Sequence, residues 1–253
     1  MAYPIHPKAG DYFLQGGRFG VLLTHGFSGS AYDLRELAEE LHTQGWTVLV
    51  KRLAGHGTDP RDLAQNGIAE WRASLDEALH TLQEHCDKIA VIGNSFGGNL
   101  LTDLALRHPG QVSGIGLLST PIFTYGEWWK RLVLPMLMRI KFSVKKAWVR
   151  YEGKADYLAR GSYIEIPLRA YKQFLDFLKI SRTEFSQVQI PVIMIYSSRD
   201  SVVKPHSAEF IYAALPSKQK RLYWVHDSYH SPLRSNDKSE VFRLLTDFVR
   251  SLH

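Results

Sequence analysis

Six apolar runs recur along the chain, and they constrain its fold more than any other feature. Most are continuous stretches of aliphatic or β-branched residues, a pattern typical of strands that are covered on both faces. The runs are FGVLLTH (19–25), WTVLVKR (46–52), KIAVIG (88–93), VSGIGLLS (112–119), IPVIMIYS (190–197) and RLYWVH (221–226). DYFLQGGRFG near the start of the chain predicts one or two further edge strands.

Amphipathic helical patterns lie between these runs. In SAYDLRELAEELHTQG, Leu34, Leu37 and Leu41 recur at helical spacing, and Gly45 ends the pattern as a C-cap. A similar apolar face, which includes Trp71, runs through IAEWRASLDEALHTLQEH. Because strands and helices alternate, we predict an α/β fold with a mostly parallel central sheet and helices on both faces.

The alternation is interrupted once, between residues 121 and 185. This segment contains no evident core strand and is rich in Trp, Tyr, Phe and Leu, which argues against a solvated linker. We therefore predict one core made of residues 1–120 and 186–253, with residues 121–185 inserted as a small helical cap.

The excess of positive charge lies in the same segment. The chain has a net charge of +6, and residues 121–185 hold 13 Lys and Arg against 6 Asp and Glu. Such a segment is compatible with a transient contact between the cap and an anionic membrane surface. It is equally compatible with helices that bury their apolar face on the core and leave a basic face in solvent. No recognised nucleic-acid-binding motif is present, so we expect no nucleic-acid partner.

Cysteine usage and hydropathy indicate a soluble protein. Cys86 is the only cysteine, which excludes an internal disulfide and a cysteine-based metal site. LVLPMLM (132–138) is too short to cross a bilayer, and the N-terminal residues lack the pattern of a signal peptide. We expect a cytoplasmic location; the oligomeric state is not indicated.

Ser95 lies in IAVIGNSFGGNLL, where a predicted strand leads directly into a predicted helix. Gly-x-Ser-x-Gly in that context is typical of a nucleophile elbow, in which the serine adopts a strained backbone conformation. Gly93, Gly97 and Gly98 provide the necessary space because they lack side chains. GNSFGG does not match the phosphate-binding alternatives, which require Gly-Lys-Ser/Thr or Gly-x-Gly-x-x-Gly.

A nucleophilic serine needs a base and an acid that orients the base. In this fold class the acid and then the histidine follow the serine along the chain. Asp200 follows the strand at 190–197, while His226 and His230 lie at or beyond the last one. We predict Ser95, Asp200 and His230 as the triad, because a loop position such as His230 reaches Ser95 more easily than His226. No third ligand accompanies the two histidines, so we predict no metal site.

An oxyanion is stabilised by two convergent backbone N–H groups. His25-Gly26-Phe27 follows the first long strand, and Gly26 permits a tight turn. We predict Phe27 and Phe96, the residue after Ser95, as the two donors.

Five segments in this order resemble the α/β-hydrolase fold: HGFSGSAYDLRELAEEL, RLAGHGTDPRDL, GNSFGGNL, SSRDSVVKP and DSYH. More narrowly, they are similar to bacterial monoacylglycerol lipases and the related small carboxylesterases, over residues 17–120 and 188–253. The resemblance implies a serine esterase that needs no cofactor and acts on a small ester or a monoacylglycerol. It also supports His230 over His226, and it assigns the pocket for the acyl and alcohol groups to residues 121–185.

Other functions use the same residues. A thioesterase or an acyltransferase employs the same triad with another acyl donor or acceptor. Some members of the fold are binding modules without catalysis, but these usually lack a member of the triad, and none is missing here.

Overall fold

A sheet of seven strands forms the centre of the protein. The computed structural model describes residues 3–146 and 153–253; residues 1–2 and 147–152, the latter within the predicted cap, lie outside the described residues. The strand order is β1-β3-β2-β4-β5-β8-β9, and only β1 runs antiparallel to its neighbour. The strands are β1 (Tyr12–Leu14), β2 (Gly17–Thr24), β3 (Trp46–Lys51), β4 (Lys88–Asn94), β5 (Gly114–Leu118), β6 (Ser143–Lys145), β7 (Glu165–Pro167), β8 (Val192–Ser197) and β9 (Lys220–Val225).

The six predicted apolar runs coincide with β2, β3, β4, β5, β8 and β9 to within two residues at each end. The helices between the strands are α1 (Arg35–Thr43), α2 (Pro60–Gln65), α3 (Ile68–Gln83), α4 (Phe96–Arg107), α5 (Glu127–Ile140), α6 (Lys154–Ala159), α7 (Leu168–Glu184), α8 (His206–Ala214) and α9 (Lys238–Leu252). Short 3₁₀ helices occupy Ala31–Leu34, Phe185–Gln187 and Pro232–Arg234.

Successive residues of each central strand enter two different hydrophobic clusters. In β2, Val21 and Leu23 pack with the apolar faces of α1 and α9, whereas Leu22 packs with α3 and α4 on the opposite side. Side chains alternate across a strand, so a sheet that is covered on both faces needs apolar residues at consecutive positions. This explains the continuous runs in the sequence and confirms the predicted architecture.

Residues 121–185, which we call the cap segment, contribute no described strand to the central sheet. They contain α5, α6, α7 and a two-stranded antiparallel sheet, the β6–β7 sheet, whose strands are separated in the chain by α6. The sequence predicted helices here but not this sheet, because strands of three residues are too short to display a period. Helix α7, although part of the cap segment, packs closely on the core, since Phe177 and Leu178 are fully buried in the same cluster as α4.

The carboxyl end of β4 lies unusually close to the first turn of α4. A Cβ atom on Gly93 would lie 2.2 Å from the backbone nitrogen of Gly98, and one on Gly97 would lie 2.5 Å from the carbonyl oxygen of Thr24. These neighbours are backbone atoms, so a change of rotamer cannot relieve the overlap. The glycines therefore permit the sharp turn between strand and helix that the sequence predicts.

None of the described helices is both long enough and apolar enough to cross a lipid bilayer.

We predict that Gly93→Ala lowers the free energy of unfolding by about 3 kcal/mol or more, because the new methyl group overlaps fixed backbone atoms. Urea unfolding at neutral pH measures the loss. Gly10→Ala is the control, since no atom lies within 4 Å of its Cβ position. Equal unfolding midpoints for the two variants would contradict the close approach of β4 and α4.

Candidate active site

Ser95 lies at the turn between β4 and α4, near the middle of the carboxyl edge of the sheet. Its backbone has φ 51° and ψ −123°, in the positive-φ region that non-glycine residues rarely adopt. The Ser95 N–H donates to the carbonyl oxygen of Leu118 at the end of β5 (2.6 Å). Ser95 thus lies in a strained conformation at a strand-to-helix turn, where the sequence places it, and its role as a nucleophile stays a prediction.

His230 joins Ser95 to Asp200 through two hydrogen bonds. Its Nε2 lies 3.1 Å from Ser95 Oγ, and its Nδ1 lies 2.9 Å from Asp200 Oδ2. The other carboxylate oxygen, Asp200 Oδ1, accepts from the N–H groups of Val202 (2.7 Å) and Val203 (2.8 Å). The carboxylate is therefore fixed from two sides and holds the imidazole in place.

The structure leaves His226 outside this cluster. Its side chain is exposed at the end of β9, and its Nδ1 lies 3.0 Å from Ser198 Oγ. Of the two histidines considered from the sequence, only His230 lies within hydrogen-bond distance of Ser95.

The loop after β2 brings Gly26 beside Ser95 and Phe27 beside Phe96. A Cβ atom on Gly26 would lie 3.0 Å from Ser95 Cβ, so the loop after β2 passes directly beside the serine. The rings of Phe27 and Phe96 meet edge to face at 6.0 Å. Phe96 is the first residue of α4, where N–H groups have no acceptor within the helix. Neither its amide nor that of Phe27 donates to any residue that the structure describes. Phe96 itself is fully buried.

His25 supports the turn that carries Phe27. The N–H of Leu53 donates to His25 Nε2 (3.2 Å), so the proton must be on Nδ1, which lies 2.9 Å from the carbonyl oxygen of Gly26. Burial lowers the pKa of His25 to about 4 and keeps the ring neutral. His25 is thus a fixed donor and acceptor that links the turn to the loop after β3. The sequence identified the His-Gly turn but not these partners.

A cavity of about 370 Å³ opens above Ser95, between the sheet edge and the cap segment. Its apolar wall comes from α5, the β6–β7 sheet and α7, and includes Val133, Leu134, Leu137, Val144, Ile166, Leu168 and Phe174. Its polar wall includes Ser95, His230, Asp33, Lys146, Arg160 and Arg234. No motif in the sequence indicated these charged residues. Within residues 3–146 and 153–253, no group of three or more His, Cys, Asp or Glu side chains is arranged to hold a metal ion.

Comparison with known proteins places the chain among its relatives. The sheet, the turn at Ser95 and the Ser95–His230–Asp200 arrangement define an α/β-hydrolase. Residues 18–238 match the hydrolase family described as serine aminopeptidase, S33, and the chain belongs to this family.

Two curated relatives match almost end to end. The thermostable monoacylglycerol lipase of Bacillus sp. (strain H-257) is 28% identical over 250 residues, which cover 97% of this chain and 96% of the lipase. The carboxylesterase of Bacillus subtilis (strain 168) is 24% identical over 252 residues, or 98% of each chain. One similar solved structure comes from work on LipS and LipT, two metagenome-derived lipolytic enzymes. It superposes on this chain with a TM-score of 0.89 at 30% identity, and the match covers 98% of this chain and 100% of that chain.

The pKa of His25 predicts how stability depends on pH. In the unfolded chain a histidine titrates near its ordinary value of 6.5, whereas folded His25 titrates at about 4. The unfolded state therefore binds more protons between these values, and the free energy of unfolding falls as the pH is lowered through this window. We expect His25 to contribute a loss of about 2 kcal/mol between pH 7 and pH 5.

Urea unfolding of wild type and His25→Asn at both pH values measures this contribution. The variant should lose less stability on acidification, while His80→Asn, at an exposed position on α3, should behave as wild type. An unchanged pH dependence in His25→Asn would show that His25 is not buried in its neutral form.

Proposed function

We propose that the protein is a serine hydrolase that cleaves carboxylic esters through an acyl-enzyme on Ser95. The observation that carries the proposal is the continuous hydrogen-bonded series Ser95–His230–Asp200 beneath a largely apolar cavity. The lipase and esterase names of the relatives that match nearly the whole chain support it.

The geometry supports acyl transfer in two halves. His230 Nε2 accepts the proton of Ser95 as Oγ attacks the ester carbonyl, and Asp200 stabilises the imidazolium that forms. The N–H groups of Phe27 and Phe96 stabilise the developing oxyanion, and the dipole of α4 adds to their effect. His230 then protonates the leaving alcohol. Water repeats the sequence on the acyl-enzyme and releases the acid.

The cavity favours a substrate with an apolar acyl chain. The apolar residues from α5, the β6–β7 sheet and α7 form the side of the cavity for the acyl chain, and the polar wall faces the alcohol group. We propose a monoacylglycerol or a small carboxylic ester as the substrate, and the cap segment as the part of the chain that selects it. A thioester or an acyl acceptor other than water remains the alternative for the same residues.

An aminopeptidase activity, which the family description suggests, fits the cavity less well. A free amino terminus needs a carboxylate to bind its ammonium group. Asp33 is the only carboxylate among the described lining residues, and it already pairs with Arg160. The cationic side chains in the lining outnumber it, and their potential opposes the entry of a cation.

The outer face of α5 supports a transient contact with a lipid surface. Trp128, Leu132, Met136 and Ile140 follow one another at helical spacing, and Trp128 and Leu132 are each 75% exposed. Lys and Arg residues flank this stripe in the sequence. An exposed apolar stripe with basic neighbours is typical of helices that lie in a membrane interface. Residues on its other face, such as Leu134, are buried. Helix α5 therefore fits both interpretations of this segment, a contact with a membrane surface and the burial of an apolar face on the protein. A cytoplasmic location stays a prediction.

Ser95→Ala should abolish hydrolysis of p-nitrophenyl esters, with a loss in kcat of about 10⁴-fold or more, because no other group supplies the nucleophile. His230→Ala should cause a comparable loss, whereas its control His226→Ala should keep wild-type activity. Circular dichroism verifies that all three variants fold. Activity retained in Ser95→Ala, or lost only in His226→Ala, would contradict the proposed triad.

The double variant Trp128→Ser/Leu132→Ser should bind less to vesicles that contain anionic lipid, because the removed side chains supply the exposed apolar area. Its activity on monoacylglycerol presented in such vesicles should fall about tenfold relative to its activity on a soluble short-chain ester. An unchanged ratio would show that the stripe makes no contact with lipid. The assay should include esters and thioesters of several acyl lengths, which also separates the alternative functions.

A further inference from the structure

Four charged side chains form a ring of alternating charge beside the cavity, and three of them, Asp33, Arg160 and Arg234, line it. Arg160 pairs with Asp33 through Nη1, and its Nη2 lies 3.2 Å from Asp156 Oδ2. Arg234 completes the ring, with Nη2 2.5 Å from Asp156 Oδ2 and Nη1 3.9 Å from Asp33 Oδ1. Each carboxylate thus contacts both guanidinium groups.

The ring connects the cap segment to two loops that carry proposed catalytic groups. Asp33 lies in the 3₁₀ helix Ala31–Leu34, and we call residues 26–33 the oxyanion loop because they contain Phe27. Arg234 ends the 3₁₀ helix Pro232–Arg234, and we call residues 226–234 the histidine loop because they contain His230. Asp156 and Arg160 belong to α6 and its C-terminal end. One turn of helix in the cap therefore contacts both loops.

The cap also holds the oxyanion loop through its backbone. The carbonyl oxygen of Ser28, the residue after Phe27, accepts from the N–H of Tyr163 (3.0 Å) and from Lys146 Nζ (3.2 Å). Ser30 Oγ donates to the carbonyl oxygen of Arg160 (2.6 Å). Ser28 has φ 58°, a conformation that persists in a non-glycine residue only when its surroundings hold it. The cap provides much of that support, next to the amide of Phe27.

Buried ion pairs contribute little net stability, because desolvation offsets their attraction, but they define geometry when each charge has its partner. Arg160 and Asp33 are both largely buried. The Arg160 guanidinium donates to Asp33 through Nη1. Its Nη2 has no hydrogen-bond partner among the described residues and faces the Asp156 carboxylate at 3.2 Å as a charge contact. The expected result of the ring is a fixed separation between the oxyanion loop and the histidine loop.

We propose that Asp156 and Arg160 are positioning residues for the catalytic centre. They hold the Phe27 amide and His230 at a fixed separation from each other. This inference rests on the proposed function, since it assigns these cap residues a role in the same reaction. The competing interpretation is that the ring only attaches the cap to the core.

Asp156→Asn is the central test, because it removes one charge of the ring without changing the shape of the side chain. With a short-chain p-nitrophenyl ester, which needs little of the cavity, we expect kcat to fall about tenfold while KM changes less than about twofold. Asp156→Glu restores the charge and should recover part of kcat.

Asp247→Asn is the matched control. Asp247 also pairs with two arginines, Arg243 (3.3 Å) and Arg250 (2.9 Å), but all three belong to α9, so these pairs do not connect the cap with the two loops. Its side chain is 50% exposed, against 46% for Asp156. This variant should keep wild-type kcat, so a loss specific to Asp156→Asn cannot come from the removal of a surface charge alone.

Arg234→Gln removes a charge of the same ring from the histidine loop and is therefore a second test. Its loss in kcat should match that of Asp156→Asn, and the double variant should lose little more than either single variant, because both changes open one ring. Independent, additive losses would contradict a shared positioning role.

The outcomes separate the inference from the proposed function. If wild type neither hydrolyses the ester nor is labelled at Ser95 by a fluorophosphonate, the proposed function fails. If wild type is active and Asp156→Asn and Arg234→Gln retain its kcat, even with a lower melting temperature, the ring only attaches the cap and the inference is wrong.

Discussion

The close contact between the end of β4 and the start of α4 is the constraint on which the rest of the site depends. Gly93 allows the strand and the helix to meet without a side chain between them, and Gly97 allows the helix to lie close to the end of β2. The chain then has to reverse within one residue, and that residue, Ser95, takes the strained conformation. The same turn puts the amide of Phe96 at the start of α4, where no acceptor lies within the helix, so one packing contact sets both the position of the hydroxyl and half of the proposed oxyanion site.

Much of the fold and of the candidate site could be predicted from the sequence because their signals are local. The strands are continuous apolar runs, and Ser95, Asp200 and His230 each follow a strand that ends at the same edge of the sheet. Parallel strands bring such positions together whatever the details of the loops. The choice of His230 followed from the argument that a loop residue reaches farther than a residue at a strand end, and from the resemblance to known lipases. The structure places His230, and not His226, within hydrogen-bond distance of Ser95, while its catalytic role stays a prediction.

The remaining features could not be predicted because they depend on contacts between distant segments. The β6–β7 sheet has strands of three residues, which are too short to show an alternation of apolar and polar residues. Arg160 and Asp33 are separated by 127 positions in the chain, and no pattern in the sequence links an aspartate in one loop to an arginine in the cap. The neutral state of His25 likewise follows from its burial and from the Leu53 amide, neither of which is visible in the His-Gly motif.

Helix α7 limits the way in which substrate can enter. Its buried face includes Phe177 and Leu178, and burial of such a side chain stabilises the fold by about 1.5–3 kcal/mol each. Lifting the whole cap as a rigid lid would expose both of them together with their neighbours, at a cost comparable to a large part of the stability of an ordinary domain. Helix α5 and the β6–β7 sheet bury far fewer side chains. We therefore expect access to Ser95 to depend on displacement of α5 and the β6–β7 sheet, while α7 stays packed on the core.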